Sequence, residues 1–205
     1  MKWHTAAMGA AVLVLLAGYT GEASTSHRAA PPPRTIAIVH DGEADMKIYG
    51  SIEQVEADAT TIIEAKLIGE KPAKRYVTGA DGTVLDSYAV SKVQVAKVYK
   101  GKFKAGDIVE VAEPGYRQGD RYTTHEGYKA MDAGGRYLLF THTSNKGIEA
   151  IVGLDQGKFD LNITEPQRQE QPGKMTEAQF AAADYVGDNV KHFNLLKTEA
   201  LAKYL

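Results

Sequence analysis

The chain has no cysteine. That one absence removes disulfides, thiolate metal sites and a cysteine nucleophile from consideration. A charge imbalance is missing too: 24 Lys and Arg face 26 Asp and Glu, for a net charge of −2. Nucleic-acid binding normally leaves a strongly basic footprint, so no nucleic-acid partner is expected. The six histidines are His4, His27, His40, His125, His142 and His192, and none stands at His-x-x-x-His spacing. There is no Gly-x-Ser-x-Gly elbow. The glycine pair Gly101 and Gly106 lacks the Gly-Lys-Ser/Thr ending of a phosphate loop. No internal repeat is visible. No cofactor, metal or catalytic residue is therefore assigned.

Long hydrophobic runs are also lacking. The apolar stretch Ala6 to Gly18 is about 13 residues, short for a membrane span. With Lys2 before it and Gly21-Glu22-Ala23 after it, the pattern is that of a signal peptide over residues 1–23. Leu16-Ala17-Gly18-Tyr19 resembles a lipoprotein box, but Tyr19 stands where the acylated cysteine would be. The expectation is a secreted or periplasmic protein. Membrane contact is expected only through an uncleaved N-terminus, and the oligomeric state is left open.

Residues 24–34 carry Pro31, Pro32 and Pro33 and read as a stiff spacer. The domain proper is expected over 35–165, with a helical segment over 174–205 packing on it. Thr35 to Val39 predicts a strand, and Asp41 to Tyr49 a loop. Ser51 with Gln54 three residues on predicts a capped short helix with Ile52 and Val55 inward. Ile63, Ala65 and Leu67 alternate with Glu64 and Lys66, as in a half-buried strand. Asp81-Gly82 between Arg75–Val77 and Thr83–Leu85 predicts a hairpin.

The stretch from Tyr88 to Val111 organises the rest. Val93 and Val95 keep period two, and then the phase slips at Ala96 and Val98. A one-residue slip would turn later side chains to the wrong face, and a β-bulge near Val95–Ala96 repairs it. Bent strands of this kind suit small barrels. Gly101 and Gly106 bracket a turn, with Phe103 placed to plug a barrel end. Glu113 to Asp132 reads as a polar loop. Arg136 to Thr141 has no alternation, so both its faces should be covered. Strands at Glu149–Val152 and around Phe159 follow. Two helices are expected, Thr176–Val186 capped by Thr176 and Gln179, and Asp188–Tyr204 with Phe193, Leu196, Ala200 and Tyr204 on one stripe. The predicted fold class is mainly β (α+β): an OB-like small β-barrel with peripheral and C-terminal helices.

With Thr61–Ala65, Val95–Gly101, Gly106–Val111, Arg136–Phe140, Val152-Gly153 and Gly157–Phe159 in this order, the chain resembles a group of uncharacterised bacterial secreted or surface-anchored proteins. More distantly it is similar to the netrin-like domain of the metalloproteinase inhibitors. That resemblance spans about Thr60 to Leu161 and implies an OB-type barrel. Those inhibitors act through an N-terminal cysteine, which this chain lacks, so no functional residue carries over.

OB barrels bind oligonucleotides or sugars by aromatic stacking. The candidate binding residues are Tyr116, Arg117, Arg121, Tyr122, His125 and Tyr128. The expected function is a non-enzymatic binding domain for a protein or an envelope glycan. The alternative is a metal-assisted hydrolase built on His125 with Asp120 and Glu126. A triad of Ser144, His142 and Asp155 is the weaker enzymatic arrangement, since a triad is defined by geometry and not by spacing.

Overall fold

The computed structural model describes residues 33–41, 46–78, 80–144, 146–168 and 173–205. The expected signal peptide over residues 1–23, most of the expected spacer over 24–34 and parts of the 41–49 and 166–173 stretches lie outside the described residues. The elements are β1 (Thr35–His40), α1 (Ile52–Asp58), β2 (Thr61–Thr78), β3 (Val84–Lys100), β4 (Ile108–Glu113), β5 (Gly115–Gln118) and β6 (Arg121–Thr124). Then come β7 (Arg136–Thr143), β8 (Glu149–Ile151), a 3-10 turn (Leu154–Gly157), β9 (Lys158–Asp160), β10 (Lys174–Thr176), α2 (Glu177–Ala181) and α3 (Val190–Tyr204).

Five strands close a barrel. β2 pairs with β3, β3 with β4, β4 runs parallel to β8, β8 returns antiparallel to β7, and β7 closes on β2. This is the OB-like barrel that the alternation predicts. The bulge falls where the phase slips: Glu64 opposes Lys97 and Ala65 opposes Val95, so Ala96 is the extra residue. Val93, Val95, Val109, Val111, Ile63, Ala65, Leu67 and Leu139 fill the interior, and Phe103 packs against them from the turn. Gly101 and Gly106 both take positive φ, at 109° and 96°.

The unalternating strand β7 is covered on both sides. Tyr137 and Leu139 face the barrel interior. Leu138 and Phe140 face a second cluster formed with α1 and α3, including Ile52, Val55, Phe193, Leu196 and Ala200. The helical stripe of α3 therefore serves the parent core. Tyr99 and Tyr204 meet edge to face at 4.9 Å where α3 ends.

Three local expectations need correction. The polar stretch after Glu113 is not a loop throughout. It forms the hairpin β5–β6, which joins β1 and β10 in a four-stranded sheet of order β10-β1-β6-β5. Its Thr and Tyr residues suit a strand, and β1 supplies a parallel neighbour, Ile38 opposite Tyr122. The Ser51 side chain makes no cap hydrogen bond; it donates to the Glu53 carboxylate instead, and Gln54 Oε1 accepts from the Gly50 N–H at 2.8 Å. The helix from Thr176 stops at Ala181 because Asp184 is drawn into a buried cluster described below.

The box at Thr176 does form: Thr176 Oγ1 accepts from Gln179 N–H, and Gln179 Oε1 accepts from Thr176 N–H. Thr176→Ala is expected to cost ~1 kcal/mol of stability, read as a lower urea midpoint with an unchanged slope.

Candidate ligand-binding site

The structure divides the six sequence-predicted site residues. Tyr116 and Arg117 lie on β5, with Arg117 exposed and Tyr116 half-buried. The Arg117 guanidinium grips both oxygens of Glu177, at 2.5 and 2.8 Å, which ties β5 to α2. Tyr116 Oη accepts from Ser87 Oγ at 3.3 Å. Arg121 is exposed on β6. His125 is half-buried, its Nε2 4.0 Å from Asp41 Oδ2.

Tyr122 and Tyr128 present no ring to solvent; both are buried. Their phenols hold the 125–132 segment in place. Tyr122 Oη accepts from Ala130 N–H at 2.6 Å and donates to Tyr128 O at 2.9 Å. Tyr128 Oη donates to Glu113 Oε2 at 2.8 Å, and the same oxygen accepts from Met131 N–H at 2.7 Å. Tyr137 Oη adds a bond from Asp132 N–H at 2.6 Å. Irregular backbone packed over a barrel must have its polar groups satisfied, and Tyr122 and Tyr137 do that, while Tyr128 anchors the Glu113 carboxylate. Burial pushes both the Tyr122 and Tyr128 hydroxyls far above their ordinary range. It also pushes up the Glu113 carboxyl, although Ser91, Met131 and Tyr128 all donate to it.

The acid–histidine arrangements are not assembled. Among the described residues no three His, Asp or Glu side chains gather to hold a metal. Asp155 is buried, whereas His142 is exposed on β7. His192 Nε2 lies 2.7 Å from Tyr49 O, a helix-to-loop contact.

The buried charges form a different constellation. Lys158 of β9 and Lys197 of α3 each reach one oxygen of Asp184, both at 2.7 Å. All three side chains are at most 5% exposed. Lys158 Nζ also lies over the rings of Tyr128 and Tyr137, at 5.5 and 5.2 Å. Sealed inside the fold, this cluster binds elements to one another.

The outer face of the barrel offers a concavity instead. Ser91, Val93, Val111 and Glu113 point inward, which places Tyr88 and Ala112 on the other face of their strands; Val90 shares that parity but is itself buried. Val90 opposes Ala112, and Ala112 opposes Ala150, a row of small side chains across three strands. Of that row Ala112 lines a hollow of about 310 Å3, together with Tyr88, Ser144, Lys146 and Ile148. In barrel order these are the second and third strands and the loop joining the fourth to the fifth. That is the face on which OB barrels take oligonucleotides and oligosaccharides. From Arg75 opposite Tyr88 onward, the β2–β3 hairpin pairs only with itself and forms an arm beside this groove. Exposed Tyr76 lies on that arm.

Sequence reasoning missed Tyr88, Lys146 and Ile148 as site residues. The signal was available: once an OB order is expected, the groove follows from strand position and parity, not from tyrosine density. A larger hollow of about 510 Å3 lies beside α2, floored by Ile38, Met175, Ala183 and Tyr185. Arg168 and Gly173 also line it, and residues 169–172 lie outside the described residues.

The chain matches no protein-family model and no curated protein.

Proposed function

We propose that the protein is a binding domain for a cell-envelope ligand, held on the outer face of β3 and β4. The observation that carries this is the groove itself, with Ala112 and Tyr88 in its lining and its place on the barrel. The small side chain of Ala112 lets a ligand approach the sheet closely, and the Tyr88 ring supplies a stacking surface with a polar tip. Export through the N-terminal segment is part of the same proposal. The likeness to the netrin-like domain enters it as fold order alone, since inhibition through a terminal cysteine has no counterpart here.

A thermal-shift titration with a panel of envelope glycans tests the proposal. A ligand that binds only the folded chain raises the melting temperature. A rise abolished by Tyr88→Ala, and retained in Arg121→Ala on the far hairpin, supports the β3–β4 face. A rise with zinc alone, abolished by His125→Ala, overturns it in favour of the metal-assisted hydrolase.

A further inference from the structure

Resting on that binding face, we infer that its ligand is an acidic glycan, a polysaccharide carrying carboxylate groups. The alternation that builds the groove also sorts the charges around it. Glu113 and Glu149, the acids at the groove end of β4 and in β8, face inward and are buried. Each is consumed by internal hydroxyls: Ser91 and Tyr128 donate to Glu113, and Thr141 and Thr143 to Glu149. Glu110, on the outer face of β4, is engaged by Lys92 at 3.9 Å.

The cations are arranged the other way. Lys146 rims the groove on the loop side. Arg75 stands directly opposite Tyr88 in the ladder, and residues directly opposed across a ladder project from the same face. Both are exposed. Neither forms an ion pair with a described residue, while Arg117 and Arg136 are held by Glu177 and Glu64. The groove thus has Tyr88 and Ala112 in its lining and an ammonium at its rim, with a guanidinium on the strand next to Tyr88. A neutral sugar would leave both cations without a partner. A carboxylated sugar offers arginine the planar acceptor that its fork matches, and lysine a second point of attraction.

The test is calorimetric titration of the full chain with oligogalacturonate, and separately with the methyl-esterified oligomer as its neutral counterpart. Arg75→Glu and Lys146→Glu are each expected to weaken oligogalacturonate binding ~10-fold, the scale of one charge-assisted contact. Binding is also expected to weaken as salt rises. Unchanged melting temperatures will show that both variants fold. Tyr88→Ala is expected to weaken both oligomers. Equal affinity for the two oligomers, indifferent to the charge reversals but lost in Tyr88→Ala, overturns the acidic-ligand inference and leaves the binding face standing. Binding that ignores Tyr88→Ala, or no binding of either oligomer, overturns both.

Discussion

Asp184→Ala is expected to cost about 3–5 kcal/mol, the range for removing one partner from a buried ion pair. The carboxylate is fully buried and neutralises two ammonium groups, Lys158 and Lys197, at 2.7 Å each. Its Oδ2 also accepts from the backbone N–H of Asp160, at 2.8 Å. Alanine would leave two buried cations facing each other and one amide unpaired. Those partners come from β9 and from α3, and Asp184 itself from the segment after α2, so the loss falls on the docking of the C-terminal helix to the barrel. Asp184→Asn keeps one acceptor and the shape, and should fall between wild type and alanine. Pairing Asp184→Ala with Lys197→Met should recover part of the loss, because one uncompensated charge goes with it. Urea unfolding of the three variants measures this, and a loss under ~1 kcal/mol for alanine would mean that water reaches the cluster. Burial alone would push the Asp184 carboxyl up, but the two lysines outweigh it and hold it below the usual carboxylate range. The pair therefore adds stability above the ordinary aspartate range, lost as pH falls through the lowered value.

How much of this was legible in the sequence depends on whether the signal was local. The barrel was legible because period two, its slip at Ala96 and the glycines at 101 and 106 are local signs of strand, bulge and turn. The α3 stripe was legible because the 3.6-residue period is local as well. The β5–β6 hairpin was not, because Tyr122 and Thr124 look polar and their strand neighbour, β1, lies some 80 residues upstream. The burial of Tyr122 and Tyr128 was hidden for a related reason. Tyr116, Tyr122 and Tyr128 cluster in the sequence, yet the Tyr122 phenol is spent on backbone groups of its own loop and the Tyr128 phenol on the buried Glu113 carboxylate. The groove residues Tyr88, Ala112 and Ile148 are scattered over 60 positions and converge only when the barrel closes. The Asp184 cluster was equally hidden, since nothing in a lone aspartate foretells two lysines arriving from 26 residues before and 13 after it.

Asp155→Asn is the opposite case, a substitution expected to stabilise the protein, by an amount that grows as pH rises from about 4 to about 7 and is constant above that. Asp155 follows Gly153 and Leu154, both with left-handed backbone, and its side chain is turned inward. Its Oδ1 has no hydrogen-bond partner among the described residues. Burial is the main cause that pushes its carboxyl up, to about 7; its own backbone N–H works against this, the Glu126 carboxylate adds to it, and Lys158 offsets part. In the unfolded chain an aspartate loses its proton near pH 3.9. Between ~4 and ~7 the folded state therefore holds more protons than the unfolded state, so stability falls as pH rises through that window. Above it the full cost of a buried, partly unsatisfied carboxylate is present. A gap of about three pH units corresponds to ~4 kcal/mol as an upper bound. Asparagine mimics the neutral acid in shape and cannot ionise. The difference in unfolding free energy between Asp155→Asn and wild type should then be near zero at pH 4 and reach ~2–4 kcal/mol in favour of the variant at pH 8. Glu113, also pushed up by burial, titrates in both proteins and cancels from that difference. A difference that stays constant from pH 4 to pH 8 would mean that Asp155 does not change its charge in the folded protein over that range.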